Sequence, residues 1–430
     1  MTVPDADLRT EEPAERSAEQ APPTTLGPAG PASGLWTRNF RLYFGARTGS
    51  LLGDAMLPVA LTVAVLHAGY GTAGVGFALG AWMAALALGV LFGGVLADRF
   101  TPRRMMVLAD LVRLGIQATM AISFALGSPD LAVIVGLQFA AGGATALFQP
   151  GLAGMVPQVA TDIQAANGAL QIAEQSAAVL GPALAGVLVG FSGPATVFAV
   201  YAGTYGLSAA CLFALRLTPR ATTPRGTSFV RGLVEGWQEF RSRTWLSGVI
   251  AVFLVYGCFV AGLSLPVGTE LVVAAHGSGA LAAGLASMGA GGLIGGAVSM
   301  RLRLSRPLAY GAIGWALYAL YPLTAALEPN VVVLCLGWAV AGGGLAYWAV
   351  IWATTVQTQV PGELLNRVSA YDVAGSLISM ALGRTLAGPL AGPIGEKPLM
   401  IASTAVGLCC TAVLLAVPSI RGLRAVRRAA

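Results

Sequence analysis

Twelve apolar runs, each long enough to cross a lipid bilayer, divide this chain of 430 residues. They lie near 42–67, 73–97, 104–127, 130–156, 163–190, 194–216, 245–273, 278–300, 307–328, 330–357, 364–391 and 398–418. Some twenty apolar residues span the hydrocarbon core as a helix, because only a helix bonds its own backbone without water. The runs leave little room for charge: 56% of residues are hydrophobic and 10% are charged. A soluble α/β protein would need strand-length runs and charged helix faces, and neither dominates. The expectation is an all-α integral membrane protein.

The arginines set the topology. Arg38 and Arg41 precede the first run, and basic residues follow the second, sixth, eighth, tenth and twelfth. Loops after the odd-numbered runs hold only Lys397, the sole lysine. Cytoplasmic loops accumulate Lys and Arg, so both termini are expected in the cytoplasm. The membrane is expected to be the plasma membrane. The net charge of +6 follows from this loop pattern and needs no nucleic-acid partner. Residues 1–37, rich in Pro, Ala and acids, read as a disordered cytoplasmic tail with no cleavable signal. Residues 419–430 read as a basic cytoplasmic tail.

The chain repeats itself. "AGGATALF" at Ala141–Phe148 returns as "AGGGLAYW" at Ala341–Trp348, and "GPALAG" at Gly181–Gly186 returns as "GPLAG" at Gly388–Gly392. Val156-Pro157 returns as Val360-Pro361, and Arg99 and Arg104 return as Arg301 and Arg306, all at offsets of 200 to 207 residues. The reading is two pseudo-symmetric six-helix bundles, 38–216 and 245–418, joined by a cytoplasmic linker at 217–244. Within the linker, "FVRGLVEGWQEFRSRTWL" suits either an amphipathic surface helix or a solvated connector. Paired bundles with a site between them are a transporter architecture.

The hairpin "GGVLADRFTPRRMMVLADLVR" crowds six charges between two apolar runs. Gly94, Leu96, Ala97, Asp98, Arg99 and Arg103 match a G-x-L-A-D-R-x-G-R-R signature, with Thr101 at its glycine and Pro102 at a basic position. In the second half Met300 takes the aspartate's place. A G-x8-G-x3-G-P-x2-G-G pattern maps onto Gly168, Ala177, Gly181, Pro182, Ala185 and Gly186. With "SLLGDAMLPVAL" in the first run, these stretches resemble the major facilitator superfamily, and within it the macrolide-efflux and enterobactin-exporter proteins.

The resemblance implies the twelve-helix fold, alternating access and export. It implies that Asp98 meets the N-terminal end of the eleventh helix as a conformational latch, with Gly94, Arg99, Arg103 and Arg104 in the same hairpin. The alternative is a simple loop ion pair. Many drug–proton antiporters of the family carry an arginine in the fourth helix where Gln138 stands here, so coupling would need acids elsewhere.

An ionisable group at mid-membrane costs on the order of 2.5–3.5 kcal/mol on insertion scales, so each such group is a functional candidate. Asp54 lies about a third of the way into the first run, and Glu174 about 11 residues, ~16 Å, into the fifth. A carboxyl in low dielectric holds its proton towards neutral pH and can trade it. These two are the proton-coupling candidates, and a structural hydrogen bond is the alternative for each. Arg47, Asp110, Arg113, Asp372 and Arg384 are candidates for a charge network. Gln138, Gln149, Gln171, Gln175, Gln357, Trp348 and Trp352 are candidates for the substrate cavity, since amides among apolar walls suit amphipathic ligands. Packing against protein or lipid is the plain alternative for each tryptophan.

Two lone histidines and five scattered cysteines make no metal site, and P-loop and hydrolase motifs are absent. The expectation is no enzyme, no metal, no cofactor and no obligate protein partner. A proton gradient would supply the energy, and a small molecule and the bilayer would be the partners. The sequence thus favours a secondary exporter of small amphipathic molecules, such as antibiotic-like natural products or a siderophore. An importer of a small polar nutrient, or a membrane sensor or scaffold without transport, stays open.

Overall fold

A computed structural model describes residues 34–425 except 100, 128, 218–237, 239, 240 and 363, and at 72, 91–99, 150 and 367 it describes the backbone alone. Most of the tail and linker expected at 1–37, 217–244 and 419–430 lies outside these residues.

The described elements are helical. The first half comprises α1 (Arg38–His67), α2 (Gly71–Arg99), α3 (Pro102–Leu126), α4 (Leu131–Val159), α5 (Ile163–Ser192) and α6 (Pro194–Phe213). The second begins with α7 (Thr244–Tyr256), which runs through a π turn at Gly257–Gly262 into α8 (Leu263–Arg301). It continues with α9 (Pro307–Ala316), a 3₁₀ turn, α10 (Leu320–Leu327), α11 (Val331–Gln359), α12 (Leu365–Ile394), α13 (Glu396–Ala416) and the short α14 (Pro418–Arg421).

Local chemistry sets the ends. The side chains of Thr37, Asp162 and Asn330 accept from the amides of Phe40, Ala165 and Val333, capping α1, α5 and α11. Pro102, Pro194 and Pro307 sit in first turns, where a missing N–H costs nothing. A single residue, Gly193 (φ 77°), joins α5 to α6, and its repeat partner Gly395 (φ 90°) joins α12 to α13. Only glycine takes this conformation freely, so the duplication is written into the turns as well as the runs.

Ten helices among the described residues are long and apolar enough to cross a membrane. One of them, Thr244–Arg301, is 58 residues long and breaks at Gly277 (φ 82°, ψ 171°), between the expected seventh and eighth spans. The expected ninth span, 307–328, is helical but divided by the 3₁₀ turn, so it falls outside the ten.

Packing repeats with the sequence. In the first half α2 lies on α4, α3 on α6, and α1 on α5 and α6. In the second, α8 lies on α11, α9 and α10 on α13, and the α7 segment on α12 and α13. Each half has its own apolar core. Leu126, Phe191 and Phe213 are more than 70% exposed, as befits side chains that meet lipid.

Between the halves, α2 meets α12 and α5 meets α8, while α4 meets α12 and α5 meets α11. A pseudo-twofold exchange maps each of these pairs onto its mate. A small apolar cluster, Leu86, Val90, Ala146, Ala370 and Ala374, bridges the two sides.

Candidate functional site

The contacts between the halves begin at the end that carries the arginine-rich loops. Asp162 at the start of α5 pairs with Arg303 just beyond α8. Gln164 Nε2 donates to the carbonyls of Ser299 (2.6 Å) and Leu302 (2.9 Å). One turn on, Asn167 Nδ2 donates to Thr354 Oγ1 (3.0 Å) and Gln357 Oε1 (2.8 Å) on α11. Gly168 faces Gly296, and a Cβ there would stand 3.0 Å from the Gly296 carbonyl and the Ser299 hydroxyl. Gln175 lies against Gly292, and Val179 against Gly289, near the middle of both helices. Nearer the opposite ends of α5 and α12, a Cβ built on Gly186, Gly190, Gly388 or Gly392 would meet nothing within 4 Å. The halves therefore close at the basic-loop end and part beyond the middle.

Glu174 is exposed, and its position on α5 says to what. It lies seven residues, two turns, beyond Asn167, on the face that looks across to α11. The 173-177-181 face packs within the first half, with Gly181 against Ala55 of α1. Glu174 thus faces the space that opens between the halves. Gln171, half-buried, lies between Asn167 and Glu174 in sequence.

Asp54 has a different setting. Tyr201 Oη and Tyr205 Oη on α6 both donate to its Oδ1, at 2.7 and 2.6 Å. The two hydroxyls also stand 2.6 Å apart. Gly53, beside it, lets the Tyr201 ring approach, since a Cβ there would overlap Tyr201 and Thr204. Arg113 Nη1 reaches Tyr205 Oη at a long 3.5 Å. Its Nη2 binds Asp110 Oδ1, and Ser208 Oγ donates to Asp110 Oδ2 at 2.6 Å. Asp110 and Arg113 are 0% and 1% exposed, so this ion pair is sealed from solvent. The guanidinium of Arg113 lies 4.3 Å from the centroids of both Phe148 and Tyr205, a desolvated cation–π arrangement. Arg47 reaches the Phe148 ring at 5.9 Å.

The two acids expected to couple protons thus have separate surroundings: Asp54 bonds to α6, and Glu174 faces α11. The expected charge network also divides. Asp110, Arg113 and Arg47 belong to the first half, whereas Asp372 accepts from Trp352 Nε1 (2.7 Å) in the second. Arg384 is exposed on α12. Trp348 and Trp352 are buried in an aromatic stack with Phe253 and Trp315. Gln138 is fully buried and neither of its amide atoms has a partner among the described residues. Gln149 is half-buried. Arg103 donates to the Leu212 and Phe213 carbonyls, closing the end of α6, and Arg104 is exposed. The backbone of Gly94, Asp98 and Arg99 is helical, and their side chains are outside the described residues. Pro182 and Gly186 lie on exposed positions of α5.

Tyr201, Tyr205, Ser208 and Asn167 escaped the sequence reading. The first three recur at i, i+4 and i+7 along the sixth run, a polar stripe on an apolar helix that marks an inward face.

The family model of the Major Facilitator Superfamily matches residues 43–383. The chain belongs to this superfamily. The multidrug efflux pump Tap of Mycobacterium tuberculosis (strain ATCC 25618 / H37Rv) is 27% identical over 394 residues, covering 86% of this chain and 91% of its own. The enterobactin exporter EntS of Salmonella typhi is 27% identical over 402 residues, covering 82% and 85%. Among solved structures, the human organic anion transporter MFSD10 superposes with a TM-score of 0.71 at 15% identity, covering 87% of this chain and 98% of that one. The proton:xylose symporter XylE superposes with a TM-score of 0.62 at 16% identity, covering 87% and 94%. The protein is a multi-pass membrane transporter of the superfamily, as the motifs of the first run, the hairpin after the second and the fifth run implied.

Proposed function

We propose that the protein is a secondary exporter of small amphipathic molecules, working by alternating access and driven by proton antiport. The observation that carries this reading is the one-ended closure between two pseudo-symmetric halves. Such a body changes access by breaking one set of contacts and forming another, around a site at mid-membrane. We read the break at Gly277 as a turn and 307–327 as one crossing, which makes twelve spans in two bundles, 38–216 and 245–418, and the basic loops support both ends in the cytoplasm. The closed end is then cytoplasmic and the conformation faces outward.

Glu174 supports the export of cationic or polar amphipathic cargo, because it places a carboxylate in the opening between apolar walls. The similar multidrug efflux pump and enterobactin exporter support export. Gln171, Gln175 and Gln357 would change partners as the halves move, and Asp98 with Arg99 would latch the cytoplasmic end. Asp54 supplies a second acid for proton exchange. Inside-out vesicles containing the protein should accumulate the dye ethidium when acidified inside, and Glu174→Gln should lower that accumulation at least tenfold. Dye uptake that ignores the proton gradient, or equal uptake by the variant, contradicts the proposal.

A further inference from the structure

The chain does not stop at its last long helix. After α13 ends at Ala416, α14 turns back against the basic-loop end of the second half, touching α7, α9 and α13. Its Ile420 is 1% exposed and lies against Gly248 of α7, so the turn is anchored in the apolar core. Beyond Gly422 the chain runs extended, and two of its backbone groups are taken up. Gln359 Nε2, on the last residue of α11, donates to the Arg424 carbonyl at 2.9 Å. The Ala425 N–H donates to the Ser305 carbonyl at 3.0 Å. Arg243, just before α7, joins the same group, its Nη1 donating to the Gln359 carbonyl at 3.0 Å.

Both segments held by this tail also carry contacts between the halves. Ser305 lies in the loop 302–306 between α8 and α9. That loop supplies Arg303 to Asp162 and the Leu302 carbonyl to Gln164. Gln359 follows by two residues Gln357, which accepts from Asn167. Residues two apart on a helix point to nearly opposite sides. The last turn of α11 is therefore held by the first half on one side and by the tail on the other. The loop has no helix of its own to fix it. Each residue that must be ordered as the halves meet subtracts from the contact it makes, and a loop already fixed escapes that cost.

The first half repeats the plan with other atoms. Arg103, at the start of α3, donates to the Leu212 and Phe213 carbonyls, which ties the α2–α3 hairpin to the end of α6. Thr37 Oγ1, just before α1, donates to the Val159 carbonyl at the end of α4 (3.4 Å), as Arg243 does at the end of α11. A tie between the loop and the chain leaving the last helix thus stands in both copies of the repeat, on different residues.

We infer that residues 417–425 form a strap that holds the α8–α9 loop and the last turn of α11 in position to meet the first half, and so favours the state closed at the basic-loop end. Gln359 and Ala425 are positioning residues that act through Gln357 and Arg303. The strap goes beyond the proposed transport cycle, and rests on it only in taking the closed end as the cytoplasmic gate.

The test is pulsed electron spin resonance on the full chain in lipid bilayers, in a background without native cysteines, with labels in place of Thr161 and Arg301. Both residues are exposed beside the Asp162–Arg303 pair. Ala425→Pro deletes the N–H that reaches Ser305, and Gln359→Met deletes the donor to Arg424 while keeping the side chain's length. Each should raise the ratio of long to short distances roughly two- to tenfold, the effect of one hydrogen bond. Ala425→Ser and Arg424→Ala keep both backbone groups and should leave the ratio at its wild-type value. An unchanged ratio in Ala425→Pro or Gln359→Met overturns the inference. So does an equal rise in Arg424→Ala, which would assign the effect to the charge of the tail. Failed dye export with the expected distance shifts would count against the transport proposal alone.

Discussion

Asp110 and Arg113 show how much a buried charge depends on its partner. Removing one member of a buried pair costs on the order of 3–5 kcal/mol, since the other charge stays behind unpaired. Arg113→Met should therefore lower the thermal unfolding midpoint of the detergent-solubilised protein far more than Ser208→Ala. The serine gives up one hydrogen bond to a charged group, worth about 1.5–3 kcal/mol. A loss for Arg113→Met no larger than that of the serine variant would mean that the pair is solvated. The sequence made Asp54, Asp110 and Arg113 conspicuous, because charges within apolar runs stand out. It could not join them: Tyr205, which touches both Asp54 and Arg113, lies 151 residues from the first. Phenols attract no notice in a helix that also suits lipid.

Helix edges were legible wherever caps and prolines mark them, and the break at Gly277 falls where the seventh and eighth runs were parted. The π turn at Gly257–Gly262 was not legible. Its cause lies on α12, where Gly383 closes on the Cys258 carbonyl and Gly257 on Ser379. Hydropathy does not register such close backbone approach. The glycine pattern of α5 has separable duties. Gly168 meets the second half, Gly181 meets α1, and Gly186 meets nothing. Gly168→Leu should prise open the basic-loop end and reduce export at least tenfold in the vesicle assay, whereas Gly186→Ala should leave it unchanged. Equal effects would show that the stripe serves only general packing. Pro58→Ala should raise thermal stability, because it restores a helix hydrogen bond, and should slow turnover if α1 bends at that point. Faster turnover would argue against the hinge.

At the scale of the molecule, the duplication read from the offsets reappears in the helix contacts and in the paired turns at Gly193 and Gly395. What the repeat does not encode is which end is shut. That is decided by a handful of polar contacts, Asn167 with Gln357 and Thr354, Gln164 with two carbonyls, and Asp162 with Arg303. The exposed ion pair contributes about 0–1 kcal/mol, a fraction that few-kcal/mol conformational equilibria still register. Asn167→Ala should shift the population further towards the inward-facing form than Arg303→Ala. The most direct measurement is pulsed electron spin resonance with labels in a background without native cysteines. One label pair replaces Asp162 and Arg303, and another replaces Gly71 and Ile394 at the opposite ends of α2 and α12. The account predicts two exchanging populations whose distances move in opposite senses, the first pair lengthening as the second shortens, with pH shifting their ratio. A single distance at both ends, unmoved by pH, would contradict it.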